Sequence, residues 1–151
     1  MAHPAHCRRA AAHPPEIPAP LTSTLAALEV VRLAAAAAVP SLVVVPLRYD
    51  HRGGPLWCVD ATHHDDDVLR VTELAVELLS GPPWHALVLA SGRPGRPGWP
   101  VIDDWWRWAQ LRELCDAAGL VLLDWFLLGD DVAVSMGDVD DLPDERWTPR
   151  R

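Results

Sequence analysis

His63, His64, Asp65, Asp66 and Asp67 form the densest group of potential metal ligands in the chain. Successive side chains diverge, so sequence neighbours seldom ligate one ion together. The plainer reading is a solvated loop whose carboxylates cap the next helix. His3, His6, Cys7 and His13 offer a looser set whose spacing matches no closed tetrahedral site. Cys7, Cys58 and Cys115 stand far apart with no C-x-x-C pair, which indicates neither a zinc knuckle nor a disulfide framework and makes a reducing cytoplasm the expected compartment. No G-x-S-x-G, Walker-type or G-x-G-x-x-G stretch is present, and Ser91-Gly92 lacks the spacing that would name a base for a serine nucleophile. Trp99, Trp105 and Trp106 leave two readings open. They form an aromatic patch of the kind enriched at partner and ligand surfaces, or a covering segment such as the N-terminal helix buries them.

These residues must be positioned by an alternation of helices and strands. Residues 1–20 hold five prolines, three histidines and no apolar periodicity, and read as an extended, disordered arm. Thr22 and Ser23 are good N-caps for a helix through Leu25, Leu28, Val31 and Ala35, which Pro40 forbids from continuing. Leu42 to Leu47 and Leu56 to Val59 read as a hairpin about a turn at Asp50 to Gly54. A helix over Val68 to Ser80 follows, stopped by Gly81 and Pro82. Ala86 to Ala90 is a continuous apolar strand with His85 packed at its start. It opens into Ser91 to Pro100, a Pro- and Gly-rich stretch expected to be loop throughout. Asp103 or Asp104 starts a helix to Ala118, with Gly119 as its left-handed cap. Strands at Leu120 to Leu123 and Val132 to Ser135 complete the order. The acidic stretch Asp138 to Glu145 reads as a solvated tail. The expected fold class is therefore α/β, a mixed central sheet flanked by helices in one domain over residues 21–137. Long loops at the carboxyl ends of strands are where such folds carry sites.

At 151 residues the chain suits one globular domain. It contains no Lys and no Asn, but abundant Ala and Pro, the signature of a GC-rich coding sequence, so Ala runs and Arg clusters carry little functional information. A formal charge of −8 disfavours binding to a nucleic-acid backbone. The apolar stretch Leu33 to Leu47 is interrupted by Pro40, Ser41 and Pro46, short of the ~20 residues of a membrane span. Pro14, Pro15, Glu16, Pro18 and Pro20 occupy the place of a signal peptide's apolar core.

From residue 91 onward the chain resembles the RadC branch of the JAB/MPN metalloprotease-like family. That family carries H-N-H-P-S-G-D-P-x-P-S-x-x-D, then a helix, a strand ending in D-H, and a closing Ser. Laid on this chain without gaps, Ser91 and Arg93 take the two His places, Pro94 and Pro100 match prolines, and Asp104 falls on the Asp. Leu122-Leu123-Asp124 matches the residues before the family's last His, here Trp125, and Ser135 matches the closing Ser. The similarity spans roughly residues 40–137 and is most specific over 87–136. It implies a JAB/MPN, cytidine-deaminase-like architecture.

The resemblance further implies a zinc ion held by two His and the Asp, with a water activated by an upstream Glu for amide hydrolysis. Here Ser91 is a poor neutral ligand, and Arg93 has no lone pair to give. The Glu position falls on Pro40 or Ser41. Arg93 in the cation's place would bond Asp104 through its guanidinium fork; the alternative is a solvated Arg93 and a helix-capping Asp104. On a helical wheel, Asp104, Trp108, Leu111, Cys115 and Ala118 share one stripe, whereas Trp105 and Trp106 project away from it. What the resemblance implies is a bacterial, non-catalytic domain that has lost its zinc, needs no cofactor, and binds a protein partner or a second copy of itself, with no nucleic acid or membrane involved. Two rivals remain. One is a metal-dependent hydrolase with zinc relocated to His63, His64 and Asp104. The other is a binder of small anions or peptides that uses Arg93 as anchor and Trp99, Trp105 and Trp106 as platform.

Overall fold

The computed structural model describes residues 19–35, 39–60 and 62–149, so most of the N-terminal arm, with His3, His6, Cys7 and His13, lies outside the described residues. The elements run α1 (Thr24–Ala34), β1 (Ser41–Arg48), β2 (Trp57–Asp60), α2 (Asp67–Leu78), β3 (Trp84–Gly92), α3 (Ile102–Ala117), β4 (Val121–Leu128), β5 (Ala133–Ser135), α4 (Met136–Val139) and a 3-10 turn, Asp144–Trp147. The strands form a five-stranded mixed sheet in the order β2-β1-β3-β4-β5. β3 and β4 are parallel, as expected for strands joined through a helix, and every other pair is antiparallel. Among the described residues no helix is long and apolar enough to cross a membrane.

Alternation along the strands divides the core into two layers. Leu42, Val44, Leu87, Leu89, Trp125 and Leu127 face α2 and α3, meeting Val68, Ala75, Trp108, Leu111 and Cys115. Val43, Val45, Leu47, Ala86, Val88, Ala90 and Phe126 face the other way, onto Ala27 and Val31 of α1 and onto Trp147. Strands buried on both faces read as unbroken apolar runs, which is why β1 and β3 stood out in the sequence. Ser23 caps α1 by accepting from Ala26 N–H at 3.1 Å, and Gly119 ends α3 at φ +75, both as their types suggest.

Four local expectations are corrected. β3 continues through Ser91 and Gly92, which pair with Leu42 and Ser41 of β1. Gly92 is suited to that ladder because a Cβ there would lie 2.7 Å from Ser41 Oγ. β4 runs on to Leu128; its register against β3 slips by one residue between Leu87 and Val88, so a bulge admits the polar Asp124 to a buried strand. α3 starts at Ile102 with Val101 as its N-cap, and Asp104, at the third helical position, reaches back to accept from Val101 N–H at 2.9 Å. Asp66 precedes α2 without a side-chain cap bond, because its carboxylate is drawn to Arg107.

The acidic C-terminal stretch keeps most of its carboxylates in solvent, as expected, but it is folded onto the domain rather than trailing as a tail. Trp147 is buried in the α1-side core, and its indole N–H donates to Thr24 Oγ1 at 3.0 Å. Asp140 accepts from Trp108 Nε1 at 2.9 Å, while Asp138 accepts from Arg146 at 2.7 Å. Partners this distant in sequence leave no local pattern, so the run of acids concealed them. Trp147→Ala is expected to destabilise the protein by about 3 kcal/mol, read as a lower urea midpoint; a shift within 0.5 kcal/mol, roughly that of a surface residue, would contradict the docking of this segment.

Candidate functional site

The site lies where β3 ends and α3 begins. Arg93, one residue past β3, donates its backbone N–H to Leu128 O of β4 at 2.8 Å, which anchors the loop's first residue to the sheet. Farther along, Gly98 and Gly129 approach so closely that a Cβ on Gly129 would fall 2.1 Å from Gly98 N, and Gly98 N–H donates to Asp131 Oδ1 at 3.2 Å. The Pro- and Gly-rich loop is thus held against the β4–β5 turn. α3 departs from its far end with Asp104 on the inward stripe beside Trp108, Leu111 and Cys115, as the helical wheel requires.

Asp104 is fully buried and every acceptor direction is used. Arg93 Nη1 and Nη2 reach its two oxygens at 2.9 and 2.7 Å, Arg107 Nη1 bonds Oδ1 at 2.9 Å, and Val101 N–H bonds Oδ2. This bidentate fork is the strong geometry for a carboxylate, and further hydrogen bonds are what make a buried ion pair tolerable. The network continues outward through the loop before α2. Arg107 Nε donates to Asp66 at 2.8 Å, and Arg96 holds Asp65 with bonds of 2.6 and 3.0 Å. Three guanidinium groups therefore face three carboxylates across three separate segments. Trp125 lies beneath, its ring 5.7 Å from the Arg93 guanidinium and its indole N–H donating to Ser91 Oγ at 3.0 Å. These contacts place Ser91, Arg93, Asp104 and Trp125, the positions singled out in the sequence, in one cluster.

Burial alone would raise the Asp104 carboxyl, but hydrogen bonds from Arg93, Val101 and Arg107 outweigh it and hold the group below its ordinary value. The Arg96 hydrogen bonds hold Asp65 down likewise. Asp124, behind the sheet, goes the other way. Burial pushes it up despite bonds from Ser135 and Gly137 N–H and the nearby Arg146.

The relocated constellation is not brought together. His63 and His64 line a cleft with Arg93, but Asp104 lies behind that cleft with its oxygens taken. Among the described residues no group of three or more His, Cys, Asp or Glu is placed to hold a metal ion. Nor do Ser91 and Arg93 fit zinc: one offers a neutral hydroxyl and the other a fixed positive charge. Trp99 and Trp106 are 62% and 67% exposed and Trp105 37%, beside exposed Ile102, so the uncovered reading of the aromatic group holds. Neither cleft lined by Arg93 has a tryptophan among its lining residues. Sequence reasoning missed Arg96 and Arg107 as parts of the site. Arg107 could have been found, since three residues beyond Asp104 on a helix is the same face.

Comparison of the chain with protein-family models and with curated proteins finds no match.

Because the folded Asp104 carboxyl lies below its unfolded value of about 4, its stabilising contribution is complete above that value and is lost as pH falls through the folded one. Asp104→Asn should therefore cost about 3 kcal/mol at neutral pH, by leaving Arg93 and Arg107 buried against a neutral amide. Denaturant titrations should show the gap to the native protein closing as the pH is taken below about 4; a gap constant with pH would remove the charge pairing as its cause.

Proposed function

We propose that this chain is a non-catalytic domain of the RadC-like JAB/MPN kind, in which a guanidinium has replaced the zinc ion and whose role is to bind a protein partner or a second copy of the chain. The observation that carries the reading is the bidentate Arg93–Asp104 pair. It joins two positions where the resemblance would put metal ligands, and it sets a permanent cation on the carboxylate that would otherwise hold the metal. Neither Pro40 nor Ser41, which share the place of the upstream Glu, has a basic group to activate water. The ligand and base positions of the resembled family are thus filled by residues of other chemistry, which supports a non-catalytic role. The exposed group of Trp99, Ile102, Trp105 and Trp106 is the surface best suited to docking, because tryptophan combines large apolar area with few rotatable bonds.

Elemental analysis of the purified, untagged protein tests the reading, alongside a folded Ser91→His, Arg93→His double variant. The native protein should carry no stoichiometric zinc, and the variant should gain about one equivalent, with two imidazoles and the freed Asp104 as ligands. Stoichiometric zinc in the native protein would overturn the proposal and redirect attention to His63, His64 and the neighbouring carboxylates.

A further inference from the structure

A guanidinium has two edges that can bond a carboxylate, and Asp104 occupies only one edge of Arg93. The Nη atoms make that contact, while Nε, equally buried, has no hydrogen-bond partner. Asp65 Oδ1 stands 3.8 Å from Nε, and Arg96 holds that oxygen at 2.6 Å. A buried, charged N–H left unbonded is costly, and native structures rarely leave one without purpose.

A second donor borders the same space. Ser91 is buried nearby; its oxygen accepts from Trp125, so its own proton remains free to donate. Ser91 and Arg93 line one cleft with His63, His64, Asp65 and Arg96, of about 150 Å³. Cavities of that size accept a benzene ring, so a carboxylate or phosphate group fits.

We propose that this cleft binds one oxyanion group, a carboxylate or a phosphate, on the free edge of Arg93 and the hydroxyl of Ser91. The proposal rests on the reading above in taking the Arg93–Asp104 pair as the permanent occupant of the centre, and it names what that centre recognises. The open edge of Arg93 presents Nε–H and an outer Nη–H side by side, a spacing that matches two oxygens of either group. An acceptor-only ligand satisfies these donors together. The guanidinium charges are already balanced by carboxylates, so the selection is made by the unbonded donors, which an apolar ligand would leave unpaired. Without ligand, Asp65 stands beside the open edge, held just beyond bonding reach by Arg96, and an arriving anion takes the position that Asp65 approaches but does not fill.

The indole N–H of Trp125 bonds Ser91 and lies under Arg93, so its resonance reports on the cleft. Nitrogen-15-labelled full-length protein is titrated with sodium phosphate and, separately, sodium acetate at constant ionic strength. A saturable shift of the Trp125 signal with a midpoint below about 10 mM is expected for at least one anion, and the tighter one identifies the source of the group. Asp65→Asn should bind about tenfold more tightly, because the carboxylate beside Nε is neutralised. Linear, non-saturating shifts with both anions would overturn the proposal, as would an Asp65→Asn variant that binds no more tightly than the native chain. The outcome is separable from the metal experiment. Zinc gained by the double His variant with no anion bound by the native protein would keep the replacement reading and remove this one. Anion binding with no zinc gained would keep the cleft and remove its metal ancestry.

Discussion

A buried carboxylate must be neutralised or surrounded, and Asp104 is surrounded. Four donors from Arg93, Arg107 and the Val101 backbone converge on its two oxygens, and those donors come from the end of β3, the body of α3 and its N-cap. The first turn of α3 can form only where the loop has delivered Arg93, because an uncompensated Asp104 in the core would cost several kcal/mol. Arg107 then ties the helix to Asp66, and Arg96 ties the loop to Asp65, so the approach to α2 is fixed by the same charge arrangement. The exposed outer pairs contribute less than the inner one, since solvent weakens them. Their role is geometric: they hold the walls of the cleft.

A second buried carboxylate organises the opposite face. Asp124 enters β4 at a bulge and accepts from Ser135, Gly137 N–H and Arg146, which brings β5, α4 and the C-terminal turn together. The two carboxylates titrate in opposite senses. Asp104 stabilises the fold more as pH rises from the acid side, whereas Asp124, pushed up mainly by its burial, stabilises it less as pH rises through its own value. The acid limb of stability therefore reflects a competition between the two faces of the sheet, with the better-bonded Asp104 on the side of the cleft.

Much of the fold was legible in the chain because both core layers are written in local patterns: apolar runs for strands buried on both faces, a helical stripe through Asp104, Trp108, Leu111 and Cys115, and Ser23 and Gly119 at helix ends. The expected pairing of Arg93 with Asp104 is present in the geometry, and it came from position rather than from residue type. What stayed hidden depended on contacts distant in sequence. Asp138 to Glu145 looks like a solvated acidic run until Thr24, Trp108 and Arg146 are placed beside it. Ser91 and Gly92 look like loop until Ser41 and Leu42 are seen to complete their ladder. Asp124 looks like a strand terminator because the bulge that accommodates it has no sequence signature of its own. The neighbourhood of His63 and His64 was visible, but which atoms of Asp65 and Asp66 were already engaged was not.

A guanidinium at the heart of a site differs from a metal ion in one further respect. It is synthesised with the chain, so the cluster around Asp104 has no unloaded form: it needs no insertion step, does not compete for a limiting supply of transition metal, and cannot be stripped by a chelator. The assembly of this centre is therefore the same event as folding.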